Sequence, residues 1–247
     1  MQLLNLTKVF YKRLWFSVND YFLTESVNLN ADINYCIQCP TNIKGQLKEF
    51  YTLLINLELP VDSIWNDIYH RTQAEITSFT TNQVFKHRVL YNLSSDELRI
   101  FEHLFNRFAN VKGIRPVEHF RLKAYNKSGI LAVSYIKQDN EFRCINIYRL
   151  TKQRATNLYS FSVKSGNEAI TPSHIGRAHR ALHWLDVNEF KQAGVNFYDF
   201  CGWYNGTDDK DLLNINKFKE QFTSLKVKEY SGVIYKNKLL KFLKQIK

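Results

Sequence analysis

Apolar residues recur at spacings of three and four through Ile175, Ala178, Leu182 and Leu185, which predicts a helix that follows a turn at Gly176 and runs to about Ala193. Arg177, Arg180, Trp184 and Lys191 fall on a second side of that helix, with His179, His183 and Phe190 between the two faces. Gly194 suits the left-handed residue that ends it. The stretch from Asn196 to Gly202 is short and dense in aromatic residues, the pattern of a buried strand. After a polar loop, Leu212, Ile215, Phe218 and Phe222 predict the buried stripe of a second helix over residues 208–222. Thr207 or Asp208 is its expected cap, and Asp209 and Asp211 suit its positive end.

The earlier chain is read the same way. Residues 11–24 and 33–39 predict strands, with a turn across residues 28–32. Leu47, Phe50, Leu54 and Leu57 predict an amphipathic helix over residues 45–59, stopped by Pro60. Asp62 or Ser63 is the expected cap of another helix with Ile64, Trp65, Ile68, Ala74 and Ile76 as its apolar contacts. Residues 84–93 alternate as a strand. Ser94 or Ser95, with Glu97, then opens a helix that buries Leu98, Phe101, Leu104, Phe105 and Phe108 and stops at Gly113. A helix near residues 118–125, three strands over residues 130–165 and a last strand over residues 225–236 complete the reading. From residue 84 the order is therefore strand, two helices, three strands, helix, strand, helix, strand.

Composition narrows the class. At 247 residues, 45% hydrophobic and 15% aromatic, the chain can bury the core of one large domain or two small ones, and nothing in it suggests disorder. The formal charge of +11 suits a phosphate-bearing partner such as a nucleotide cofactor, tRNA or an anionic membrane face, or simply keeps the protein soluble. No stretch reaches the roughly 18 apolar residues of a membrane span, and the first residues lack the pattern of a signal peptide. The lysine-rich tail over residues 236–247 is amphipathic, and is expected as a terminal helix packed on the sheet or in peripheral contact with a membrane. Four cysteines without regular spacing point to a reducing compartment, and a cytoplasmic location is expected. Cys36 and Cys39 form a C-x-x-C pair without the second pair of a zinc site or the helix of a redox motif.

Tyr198-Asp199-Phe200-Cys201-Gly202 ends the predicted strand, and Lys217-Phe218-Lys219-Glu220-Gln221-Phe222 lies in the helix after it. With Ile175-Gly176-Arg177-Ala178-His179-Arg180, these residues resemble the carboxyl-terminal half of the GNAT acyltransferase superfamily. The nearest likeness is to the branch of Fem-type peptidoglycan aminoacyltransferases and bacterial polysaccharide-cluster acyltransferases. There a strand ending Asp-Phe-Gly-Gly leads into a helix reading Lys-Phe-Lys-x-x-Phe; here Cys201 stands where glycine is commoner. The likeness covers residues 173–222 closely and the preceding hundred or so only in the order of elements. It implies an α/β (α+β) fold: a GNAT-like, mostly antiparallel central sheet flanked by helices. Residues 1–80 are then an N-terminal accessory lobe and residues 81–247 the GNAT-like acyltransferase domain.

The resemblance also implies chemistry. Backbone N–H groups at the turn before the helix, at Gly176, Arg177 and Ala178, would hold the pyrophosphate of acyl-CoA (acetyl-CoA). Ser162 and Val163, at the end of the splayed fourth strand, would line the same donor, and backbone N–H groups there would support the oxyanion. The expected reaction moves an acyl group to an amine or hydroxyl of an amino sugar or another cell-envelope or peptidoglycan precursor. Asp199 or His183 would take the proton. His179, Arg180, Trp184, Trp203, Tyr204, Lys217 and Lys219 are the expected substrate contacts, through charge or stacking. Read from the residues alone, Asp199 is equally a loop cap or the partner of an arginine. His179 and His183 without a third ligand more often pack beside aromatics than bind a metal, and none is expected. Two rivals stay open: tRNA-dependent aminoacyl transfer of the Fem type, and a non-catalytic GNAT-like scaffold.

Overall fold

The computed structural model describes residues 3–163 and 171–236. In chain order come β1 (Lys8–Arg13), β2 (Phe16–Phe22), β3 (Ile33–Cys39), β4 (Lys48–Asn56), α1 (Val61–Asp67), α2 (His70–Asn82) and β5 (Lys86–Tyr91). Next are α3 (Ser95–Lys112), α4 (His119–Lys127), β6 (Leu131–Gln138), β7 (Glu141–Leu150) and β8 (Arg154–Ser162). The chain then runs through α5 (Pro172–Gln192), β9 (Phe197–Asp199), α6 (Lys210–Glu220) and β10 (Lys226–Tyr235). The ten strands form one sheet in the order β1-β2-β3-β10-β4-β9-β8-β7-β6-β5. It is antiparallel except where β2 meets β3 and β8 meets β9.

Local signals placed many of these elements. Ser94 and Glu97 form the reciprocal capping box of α3, and Gly113 ends that helix at φ 64°. Asp139 and Asn140 adopt positive φ in the tight turn between β6 and β7, a conformation such residues tolerate. Helices α1, α2 and α5 cover one face of the sheet. There Leu53, Ile55, Tyr148, Phe190, Tyr198 and Phe222 form one cluster, and Phe79, Ala178 and Leu182 a smaller one. Helices α3 and α4 cover the other face over Phe22, Phe101, Phe105, Tyr125, Ile147 and Phe161.

Several expectations change. Residues 48–56 form strand β4, not a helix. Leu53, Leu54 and Ile55 are all buried, because β4 is covered on both faces and flanked by β9 and β10. A continuous apolar run fits a two-sided strand as well as a helix, and the neighbours decide. The helix expected after Pro60 is two helices, because Ile68 takes extended angles (φ −72°, ψ 134°), and Pro60, not Asp62 or Ser63, stands at the first cap. Asp209, not Thr207 or Asp208, caps α6 by accepting from the N–H groups of Asp211 and Leu212. Leu212 and Ile215 are 39% and 47% exposed, since α6 docks through Asn216, Phe218 and the following Phe222. Residues 1–80 share the sheet with the rest of the chain, β4 lying between β9 and β10. The tail expected as a terminal helix lies outside the described residues.

Candidate active site

Strands β8 and β9 run side by side only from Arg154 opposite Phe197 to Thr156 opposite Asp199. Strand β8 then continues to Ser162, while the other chain turns away at Cys201 (φ 50°) and Gly202 (φ 67°). Where the pair separates, β8 carries a bulge. Asn157 faces Tyr148 and Tyr159 faces Ile147, which leaves Leu158 as the extra residue. The outcome is a V-shaped notch in the middle of the sheet, one lip being the open edge of β8.

Helix α5 spans this notch. His179 Nε2 lies 3.0 Å from Ser162 Oγ at the end of β8, and His183 Nδ1 lies 2.5 Å from the Tyr198 hydroxyl on β9. Behind His183 runs a buried chain of polar groups. The Tyr198 and Tyr148 oxygens are 2.8 Å apart, and Tyr148 donates to Asp186 Oδ2 at 2.6 Å. Asp186, with no exposed surface, also accepts from Ser134 Oγ at 2.6 Å and Asn146 Nδ2 at 3.0 Å and lies 3.0 Å from His87 Nε2.

The donors in this chain can be assigned. Tyr148 spends its hydrogen on the carboxylate, so its oxygen accepts from Tyr198; the Tyr198 oxygen then accepts from His183 Nδ1–H. His183 Nε2 is left as the lone pair. Burial first, then the charge of Asp186, pushes both tyrosines well above their ordinary range. Burial holds the His183 ring well below its usual value, with His179, Lys219 and Arg180 adding to the effect. His179 falls to about 4 for the same first reason, with Arg180 second. Both imidazoles are therefore neutral at pH 7.

No family model matches the chain, and no curated protein matches it by sequence. Solved structures do match. FemX superposes with a TM-score of 0.61 at 10% identity, over 96% of this chain and 85% of its own. The C-terminal domain (DUF2156) of a putative lysylphosphatidylglycerol synthetase from Agrobacterium fabrum gives 0.55 at 11% identity, over 97% and 87%. A conserved protein of unknown function from Bacteroides thetaiotaomicron gives 0.53 at 7% identity, over 82% and 70%.

The fold is GNAT-like.

In this GNAT-like sheet Asp199 is a fastening. Its Oδ1 accepts from Thr52 Oγ1 and from the Cys201 N–H at 2.8 Å. Its Oδ2 accepts from Gln38 Nε2 at 2.7 Å, Arg154 Nη1 at 3.3 Å and Thr156 Oγ1 at 3.5 Å. A carboxylate has about four acceptor positions, so five donors leave none to draw a proton from a substrate. Arg154 also holds Glu229 Oε1 at 2.8 Å, and β3, β4, β8 and β10 are thereby tied to β9. Lys219 donates to the carbonyls of Cys201 and Gly202, which the left-handed corner leaves without strand partners. Burial lowers its pKa. Aspartate and lysine of the motif thus hold the second lip of the notch. The Cys201 thiol is pushed up to about 12 by burial and then by Asp199, so it stays protonated and is a poor nucleophile.

The other expected contacts scatter. Helix α5 begins at Pro172 with Thr171 as its cap, so Gly176 and Arg177 lie beyond its start and their N–H groups belong to the helix ladder. Ala178 is fully buried in the core. A pyrophosphate cradle at these amides is therefore not what the backbone forms. Val163 donates its N–H to the Arg143 carbonyl at 3.0 Å, continuing the ladder with β7. Arg180 is committed to Glu75 at 3.1 Å and to Gln221, and lies over the Phe218 ring. Trp184 packs on Trp65 with ring centres 4.7 Å apart. Trp203 bridges to Tyr51 and donates to Glu220, and Tyr204 binds Asp208 and Asn216. Lys217 is exposed. Of the expected residues, Ser162, His179 and His183 gather at the notch, and Lys219 beside it.

Tyr148, Asn157 and the Leu158 bulge were missed by the sequence reading. Asn157 Nδ2 is buried and without a hydrogen-bond partner among the described residues. One signal was available: Ser134, Asn146 and Tyr148 interrupt otherwise apolar strands, and buried polar side chains need partners. Among the described residues no group of three or more His, Cys, Asp or Glu is placed to hold a metal ion.

Proposed function

We propose that this chain transfers an acyl group from an activated carrier to an amine, with His183 as the base and the notch between β8 and β9 as the site. The observation that carries the reading is the hydrogen-bonded chain from Asp186 to His183, which leaves the lone pair of Nε2 on a helix spanning the notch. In this reading the acceptor amine attacks the ester carbonyl of the donor and Nε2 takes its proton. Backbone N–H groups of β8 at the bulge face the oxyanion. The ester C–O bond then breaks, and the proton on His183 passes to the leaving oxygen.

The donor that fits best is aminoacyl-tRNA, as the Fem-type resemblance implies, with an amine of a cell-envelope or peptidoglycan precursor as acceptor. Three observations favour it over acyl-CoA: Gly176 lies inside α5, the likeness to FemX spans nearly the whole chain, and the net charge is +11. Transfer from acetyl-CoA to an amino sugar is the second reading, as the wider GNAT resemblance implies.

Thermal unfolding with acetyl-CoA, free CoA, uncharged tRNA and aminoacyl-tRNA at two salt concentrations separates these readings, because a ligand of the native state raises the midpoint. A shift with aminoacyl-tRNA that shrinks as salt rises is expected. A shift with CoA compounds alone moves the assignment to acyl-CoA. No shift with any of them removes the transferase reading and leaves the scaffold.

A further inference from the structure

Strands β1 and β2 are joined by two residues, Leu14 and Trp15, since Arg13 pairs with Phe16 across the hairpin. Trp15 is 93% exposed and Leu14 71%. Leu14 also sits at φ 54°, where a glycine or asparagine is the ordinary occupant and a bulky apolar residue is strained. The chain thus accepts a backbone penalty to hold an apolar side chain in water, which fold stability alone does not explain. Behind the tip, Phe10 and Lys12 alternate outward along the edge strand. The ion pair of Arg13 with Glu118 at 3.2 Å brings the turn alongside the segment that follows α3; Val111 in the last turn of that helix and Ile114 just after it are exposed.

The charge around this surface is mainly positive. Residues 8–16 contain Lys8, Lys12 and Arg13 and no acid, and residues 111–120 contain Lys112 and Arg115. The acids beside them are Glu118, paired with Arg13, and Asp32, bonded to Ser17. An apolar wedge that includes an indole, set where cations outnumber acids, is complementary to a bilayer interface. The rings enter the boundary between headgroups and acyl chains while the lysines and arginines meet anionic headgroups. Among the described residues no helix is long and apolar enough to cross a membrane, so contact at this tip would be peripheral.

We infer that the Leu14-Trp15 hairpin tip docks the protein on an anionic phospholipid surface. The inference does not depend on the transfer reaction. The test is sedimentation of the full chain with vesicles of phosphatidylcholine alone or mixed with phosphatidylglycerol, alongside its tryptophan emission. The probe variant is L14N/W15S. Asparagine suits the left-handed position, so the variant is expected to fold at least as well as the parent, which circular dichroism checks. The parent should sediment with anionic but not neutral vesicles and its emission should move to the blue. The variant should bind about tenfold more weakly or worse. Equal sedimentation of parent and variant, or equal binding to neutral and anionic vesicles, would overturn the inference. So would ultracentrifugation showing a parent dimer that the variant breaks, which would make the tip a contact between copies.

Discussion

Tyr198 has one hydrogen and two oxygen or nitrogen neighbours within reach, and the direction in which it donates decides whether His183 can act as a base. Tyr198→Phe keeps the ring between Phe190 and Phe200 and removes only the hydroxyl. It leaves groups on Tyr148 and His183 short of a partner, which should cost about 1–3 kcal/mol in urea unfolding. If His183 is the base, transfer should also fall about 10²-fold, with a changed pH–rate profile, because the imidazole tautomer is no longer set. A variant that loses stability and keeps its rate would sink the assignment. The two histidines also make a prediction about stability. Their folded pKa values lie below the unfolded value near 6.5, so the unfolded chain binds more protons as the solution is acidified. The stability they contribute is present above pH 6.5 and is lost as pH falls through the window to about 4 for His179. His179→Gln can still bond Ser162 and cannot take up that proton, so its acid limb should be shallower than the parent's in urea melts over this range.

The short strand β9 illustrates how a few side chains define an element. Three residues cannot hold a strand by ladder bonds alone, and Asp199 adds bonds to β3, β4 and β8 that substitute for length. Asp199→Asn preserves volume and leaves Arg154 paired with Glu229, but it turns an NH2 group toward neighbours that all donate to the carboxylate. The expected cost is about 3 kcal/mol or more, measured by denaturant unfolding. If Asp199 were instead a base, the same change would lower the rate while leaving stability nearly intact. Much here was legible in the chain: the capping box at Ser94, Gly113 and Gly194 all act within a few residues of themselves. Strand β4 was not. Leu47, Phe50, Leu54 and Leu57 do fit a helical period, and only the strands on either side of residues 48–56 decide against it. The stripe of α6 was misread for a related reason. A helical period reports that one face is apolar, but Leu212 and Ile215 stay in water because the contact is made by Asn216 and Phe218.

The sheet interleaves the two ends of the chain. Strand β10, from the last part of the sequence, lies between β3 and β4 from the first, and β4 in turn supplies the edge on which β9 pairs. Residues 81–247 alone would lose both neighbours of β10 and one of the two neighbours of β9, and would expose Phe200 and Phe222, which pack with Leu53 and Ile55. Expressed as a fragment, that part should show no cooperative thermal transition by circular dichroism, whereas an independent domain would unfold sharply. Pairing over such sequence separation also makes folding slow relative to a helical protein of this size.

Sequence alone determined what is local: the capping box that opens α3, the glycines that end α3 and α5, the element order from residue 84 onward, the basic charge, and the residues that resemble the GNAT motif. Those follow from caps, periodicity and backbone preference, each acting over a turn or two. Tertiary structure alone decided which strands are neighbours, that β8 and β9 part at Leu158, and that His183 rather than Asp199 keeps a lone pair. Each of these depends on groups distant in the chain: Asp186 and Tyr148 polarise His183 through Tyr198, while Gln38, Thr52 and Arg154 consume Asp199. A hydrogen bond is a property of two positions, and one sequence position carries only half of it.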